Sequence, residues 1–243
     1  MIEAASDKHI WAENYDRDLD DIFAIQSDIA VAIADQLTVV LDPSTQLALG
    51  QRNTEDAHAY DLYLRAMAQR NVWRGAAGFR SQIALLEPVI TRDPDFLKAR
   101  VELVQAYGRI LWLREEDAAS YAGKARAQLA EIVRRRPDSI EARIAQAQIT
   151  YLLERDFASA LAQFQAIAAE RPNDAGLAAE IAACLKHLDR FPEQLVASRR
   201  AVALDPEAYR NNGDLVLALA YSNGAGLRRD PVAPLRHAAR IHR

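Results

Sequence analysis

Apolar side chains recur along most of this chain at three- and four-residue steps, the interval that lines one face of a helix, and breaks containing proline interrupt them on a regular beat. Pro94, Pro137, Pro172 and Pro206 each close such a run, and the intervals between them are 43, 35 and 34 residues. A period in the mid-thirties predicts an all-α helix-turn-helix solenoid, in which each pair of helices buries its apolar face by stacking on its neighbours. Proline stops a helix because it lacks a backbone donor and clashes with the preceding turn, so the next helix starts antiparallel.

Read at that spacing, a first pair covers Ala57 to about Trp73 and Phe79 to Arg92, with a break at Gly75 and Gly78 and a kink at Pro88. The second covers Phe96 to about Leu113 and Ala118 to Arg136, and its 43-residue interval marks it as the irregular unit, where a functional insertion would be sought. The third covers Ile140 to Leu153 and Phe157 to Glu170, with Asp138 and Glu141 spaced as an N-cap and its reciprocal partner. The fourth covers Ala175 to Leu188 and Glu193 to Leu204, Pro192 suiting the first turn of its second helix. A partial fifth begins at Ala208, passes Asn223-Gly224-Ala225-Gly226 and ends in a short basic helix near Val232 to Ile241. The repeats run about 57–94, 95–137, 138–172, 173–206 and 207–243.

Before the repeats the pattern changes. Ile2–Ala5 and His9–Ala12 flank a polar turn and read as two short strands, a hairpin too small to stand alone in water. Leu19, Ile22, Phe23, Ile25, Ile29, Ile33, Leu37 and Leu41 then predict one amphipathic helix over 18–41, inside a first segment 1–42, followed by a polar linker 43–56. Residues 1–56 hold 12 acidic and 3 basic side chains and the remainder 22 and 27, so a net charge of −4 conceals segments of −9 and +5. The basic residues are scattered among acids without a stripe, which does not support nucleic-acid binding.

The third pair resembles the tetratricopeptide repeat through Tyr151, Ala160, Phe164 and Pro172. The second offers Tyr107, Ala125, Leu129 and Pro137, and the fourth Ala182, Ala201 and Pro206, while Gln148 and Gln194 stand where that family has small residues. The stretch His9-Ile10-Trp11-Ala12-Glu13-Asn14-Tyr15-Asp16-Arg17-Asp18-Leu19, continued by Asp21–Gln26 and Asp28–Ala30, resembles the end of a TolB-like domain. Ala59-Tyr60-Asp61-Leu62-Tyr63-Leu64-Arg65 resembles the opening of the first repeat in the same bacterial proteins. The resemblance implies a class III adenylate cyclase or a winged-helix DNA-binding domain upstream, and hence that Met1 is an internal start or the edge of a truncated product.

Catalytic signals are absent from the sequence. Asp16, Asp18 and Asp20 alternate as in a calcium loop, but the sixth and twelfth positions are Asp21 and Ser27 rather than glycine and glutamate. Gly75 to Gly78 is too short for a phosphate loop, and His9, His58, His187, His237 and His242 show no metal or general-base spacing. The single cysteine, Cys184, sits on an apolar helix face as a core residue, and no disulfide framework exists. No apolar run approaches the ~20 residues of a membrane span and no signal pattern opens the chain, so the expected location is the cytoplasm. The tetratricopeptide resemblance implies a concave surface lined by the first helix of each pair. On it the reading places Lys98, Gln105 and Arg109, then Ala145, Gln146 and Ile149, then Ala179, Ala183 and Lys186, a lining mostly small and apolar with a few cations. The expected function is a non-enzymatic scaffold for a protein or peptide, with no cofactor, metal or small-molecule substrate. Its rivals are a regulatory fragment of a cyclase or DNA-binding regulator, self-association through the last repeat, and a groove filled by the chain's own N-terminal helix.

Overall fold

The computed structural model describes residues 2–3, 8–9, 54–70, 75–113 and 118–222. The chain divides into two units, Met1–Asp61 and Leu62–Arg243. In the first unit, β1 (Ile2–Glu3) pairs antiparallel with β2 (Lys8–His9), Ile2 opposite His9 and Glu3 opposite Lys8. The rest of the strands expected at 2–5 and 9–12, and the helix expected at 18–41, lie outside the described residues. Near the end of the unit the Asp56 carboxylate accepts from the Ala59 N–H at 2.8 Å, capping the helix that follows.

Helix α1 (Ala57–Arg70) crosses the boundary into the second unit. There the chain continues as α2 (Gly75–Arg92), α3 (Leu97–Leu113), α4 (Ala118–Arg135), α5 (Ile140–Ile149), α6 (Phe157–Glu170), α7 (Ala175–His187), α8 (Phe191–Leu204) and α9 (Tyr209–Ser222). From α2 onward each helix packs on its successor, and the first helices of adjacent pairs also touch, α3 on α5 and α7 on α9. Short turns between packed helices make neighbours antiparallel. The first four helix pairs expected from the proline period and the first helix of the fifth are therefore present, and the basic helix expected near 232–241 lies outside the described residues.

Three local details depart from the sequence reading. Helix α2 opens at Gly75 itself, whose φ of 59° suits the entry, and Gly78 is buried inside it rather than breaking it. Ser139, not Asp138, caps α5, its Oγ accepting from the Ala142 N–H at 3.1 Å, because the turn after Pro137 sets the first helical residue one place later. The expected helix 140–153 is α-helical only to Ile149 and then widens into a π-helical turn over Thr150–Glu154. The Thr150 hydroxyl bonds back to the Gln146 carbonyl at 3.1 Å, a contact that bends helices, and the turn closes on Arg155 at a left-handed φ of 58°.

The core follows the small and aromatic positions of the repeat pattern. Ala125, Ala160 and Ala201, equivalent in three successive pairs, are at most 1% exposed and let each second helix approach its partner. Phe96, Tyr107, Tyr151 and Phe164 fill the space between pairs, Phe96 meeting Tyr63 of α1 with ring centroids 4.8 Å apart. Cys184, in no disulfide, is buried in the cluster around Tyr151 and Phe164. At the turns, side chains from later helices take the proline carbonyls: Arg100 of α3 donates to Pro94, Arg200 of α8 to Pro172 and Asn212 of α9 to Pro206.

The tightest approach is between α3 and the π-helical turn, where a Cβ on Gly108 would lie 2.6 Å from Leu152 Cδ1 and 2.9 Å from Leu152 Cβ. An alanine in an open helical site usually stabilises by about 0.5–1 kcal/mol, whereas overpacking costs about 1–3 kcal/mol. Gly123, on α4, has nothing within 4 Å of the same added atom. Gly108→Ala should thus lower the thermal midpoint by several degrees while Gly123→Ala raises it slightly; a Gly108→Ala protein melting at or above the parent would show that α3 does not depend on this contact.

Candidate functional site

The first helices of successive pairs line one cavity of about 280 Å³. Tyr63 comes from α1; Lys98, Val101, Glu102 and Gln105 from α3; Glu141, Ile144 and Gln148 from α5; Leu177, Ala179 and Glu180 from α7; Asn211 from α9. The residues on α3 and α5 recur every three or four positions, so each helix offers one face to the cavity. Arg171, Asp174 and Asp205 contribute from the turns.

Of the residues expected to form the site, Lys98 and Gln105 line this cavity. Arg109 lies one turn beyond and reaches Glu180 at 3.5 Å. Gln146 is exposed and donates from Nε2 to the Thr150 hydroxyl of its own helix at 3.4 Å, Ile149 is buried, and Lys186 is half-buried at the end of α7; none of the three lines the cavity. Helix α5 is rotated by about one residue from the face expected of it, because Ala142, Ala145, Ala147, Gln148 and Ile149 are all buried and an apolar pattern that nearly encircles a helix does not fix its phase.

The charge of the lining also differs from expectation. Five carboxylates, Glu102, Glu141, Asp174, Glu180 and Asp205, face two cations, Lys98 and Arg171. Two of the acids cap helices or turns: Asp174 accepts from the Leu177 N–H at 3.0 Å and Asp205 from the Ala208 N–H at 3.1 Å. Glu180, 5% exposed, accepts from Gln105 Nε2 at 2.6 Å and pairs with Arg109, so α3 and α7 are tied directly across the face of α5. Burial pushes the Lys98 ammonium below the ordinary lysine value, and Arg171 adds to that effect while Glu141 and Asp174 oppose it. The glutamates were missed because charged positions on an amphipathic helix read as solvated; their register with Lys98 at Glu102 and Gln105 was the available signal.

Gln148 and Gln194, the two departures from the repeat pattern, are both buried, and Oε1 of each has no hydrogen-bond partner among the described residues. Gln148 faces the cavity, whereas Gln194 lies on α8 away from it.

Beside the cavity stands an aromatic cluster. Trp112 stacks on Tyr151 with centroids 5.4 Å apart, Phe157 stacks on His187 at 4.5 Å, and the Arg155 guanidinium lies 4.6 Å over the Trp112 ring. Among the described residues no group of His, Cys, Asp and Glu could hold a metal ion, and no helix is long and apolar enough to cross a membrane.

No protein-family model matches the chain. Over 106 residues it is 34% identical to Putative adenylate cyclase 3 of Rhizobium meliloti (strain 1021), a stretch that takes in 42% of this chain and only 17% of that much longer protein. A solved structure of a MamA mutant aligns with 77% of this chain and 99% of its own at 16% identity and a TM-score of 0.35.

Burial, helped by Lys186, Arg109 and Arg155 and opposed by Asp189, pushes His187 down from 6.5 to about 4. Above the unfolded value the ring is neutral in both states. As pH falls below it the unfolded chain takes a proton that the folded chain refuses, so stability drains between pH 6.5 and about 4 by at most about 3 kcal/mol, solvent screening reducing this at a half-buried site. Carboxylates titrate at the lower end of that window, so the informative quantity is the difference from His187→Phe. Urea denaturation at pH 7 and pH 5 should show the parent losing more stability than the variant, and equal losses would remove His187 from the account.

Proposed function

We propose that the chain is a non-enzymatic interaction module of the tetratricopeptide type, which holds a peptide or extended protein segment in the cavity between its first helices. The observation that carries this reading is the continuity of that lining from Tyr63 through Gln105, Gln148 and Glu180 to Asn211, side chains of five successive pairs opening on one space. A lining of apolar surface, amides and a few charges matches peptide recognition, where burial supplies affinity and polar groups fix direction. No nucleophile with an adjacent base, and no set of metal ligands, lies among the described residues that line it.

In the same reading residues 1–42 are the end of a TolB-like domain, 43–56 a linker and 57–243 the repeats. A second role is favoured by the likeness to Putative adenylate cyclase 3: the module is the regulatory part of a longer signalling protein and works by carrying a partner's occupancy to a domain elsewhere in that protein. Both versions make the repeats a binding surface, and they differ in what binding does.

Ile144 packs against the core on one side and stands on the cavity wall on the other, only partly buried, so a larger side chain there extends into the cavity. Panning a random 12-residue peptide library on the purified chain should enrich clones whose binding is lost in Ile144→Trp while the melting temperature stays within a few degrees. The same protein incubated with ATP and Mg²⁺ or Mn²⁺ should release no cyclic AMP. Enrichment indifferent to Ile144→Trp would defeat the cavity as the site, and cyclic AMP above the buffer blank would defeat the non-enzymatic reading.

A further inference from the structure

Helices α3 and α7 belong to alternate pairs, yet their side chains meet at two levels. Midway along both, Gln105 Nε2 donates to Glu180 Oε1 at 2.6 Å, and the Arg109 guanidinium lies 3.5 Å from the same carboxylate. Seven residues further along each helix, Trp112 and His187 meet with ring centroids 5.3 Å apart, and Tyr151 lies against both. Equal offsets mean that the two helices run in the same direction, with the contacts two turns, about 10 Å, apart. The cavity residues of α3 run from Lys98 to Gln105 and those of α7 from Ala175 to Glu180, so the cavity stops at the polar contact and the aromatic contact lies beyond it.

At about 280 Å³ the cavity is smaller than the ~300–1,000 Å³ of sites that enclose a drug-sized ligand. It has room for a few side chains and none for a backbone laid across five pairs, so a peptide seated there requires its walls to part. The bond that joins one wall to the other is that between Gln105 and Glu180. Gln105 and Arg109 are only partly buried, so water can take over their donors when it breaks, whereas the aromatic contact is anchored on Tyr151, 2% exposed.

We propose that the contact of Glu180 with Gln105 and Arg109 is a latch and the contact of Trp112 with His187 a hinge, so that breaking the latch swings the N-terminal halves of α3 and α7 apart and widens the cavity to admit a peptide. The proposal rests on the peptide-binding reading above and adds how that site is regulated. A hydrogen bond to a charged group gives roughly a ten- to hundredfold preference for the closed form. Arg109 adds less, since 3.5 Å is long beside the ~2.7–2.9 Å of a strong charged pair. Apparent affinity is then lowered by the scarcity of the open form.

Nitroxides on Asp95→Cys and Asn173→Cys, exposed positions just ahead of α3 and α7, report the width by double electron resonance in a Cys184→Ala chain. The parent should give one short distance, and Glu180→Ala should add a longer one. Peptides from the Ile144→Trp-sensitive clones should lengthen the distance in the parent, and should bind Glu180→Ala about tenfold more tightly and with faster association. A second protein, Gln105→Cys with Glu180→Cys, should lose peptide binding when a short cleavable bismaleimide joins the two thiols and regain it when the link is cut, which keeps the test open should Glu180→Ala fail to fold. Unchanged distances in Glu180→Ala, or undiminished binding by the cross-linked chain, would overturn the latch and leave the peptide-binding reading standing. Failure to enrich any Ile144→Trp-sensitive clone would sink the peptide-binding reading, whereas the distances test the latch by themselves.

Discussion

A helical hairpin of about 35 residues has too little apolar surface to offset the entropy of ordering it, and every feature of this array follows from sharing that surface with the next hairpin. Tyr107 meets Tyr121 of its own pair and Glu87 of the pair before, and Tyr151 and Phe164 share one cluster with Leu177, Cys184 and Leu185 of the pair after. Sharing demands close approach, which is why small residues mark the second helices and why Gly108 admits Leu152 into the space a side chain would occupy. The cavity opens along the first helices, where Glu102, Gln105, Glu141 and Ile144 are only partly buried.

Legibility in the sequence tracked how locally each feature is encoded. Helix existence and the turns between pairs depend on proline, glycine and the recurrence of apolar residues within a few positions, and these were readable. The capping of α5 was not, because Asp138 and Ser139 are both good caps and the turn after Pro137 chooses between them. Neither was the π-helical turn, since Ile149-Thr150-Tyr151-Leu152-Leu153 continues an ordinary helical pattern; the widening is settled by where α3 leaves room. The phase of α5 depends on what packs around it, and the cavity's negative charge emerges only when Glu102, Glu141 and Glu180 from three separated helices are brought to one place.

Strain collects at the far end of the first helices. Arg155 and Asp189 close α5 and its π-helical turn, and α7, at φ of 58° and 56°, left-handed positions that glycine would occupy at lower cost. The residues present there are charged and lie against the aromatic cluster: Arg155 covers Trp112, and Asp189 counters the three cations near His187. Cation–π contact and charge balance offset what the backbone loses. A simple helix stop has become part of a packed aromatic edge.

The hydrogen bond from Gln105 to Glu180, joined by Arg109, spans from the second pair to the fourth without passing through the third. Linear arrays ordinarily obey nearest-neighbour rules, so that an end unit frays at a free energy set by one interface. A direct tie between alternate units breaks that rule. It couples the second, third and fourth pairs into one cooperative block that opens at a shared free energy rather than in a graded series. An array joined in this way resists being stretched like a spring, and a ligand gripping its middle is felt at both ends of the block.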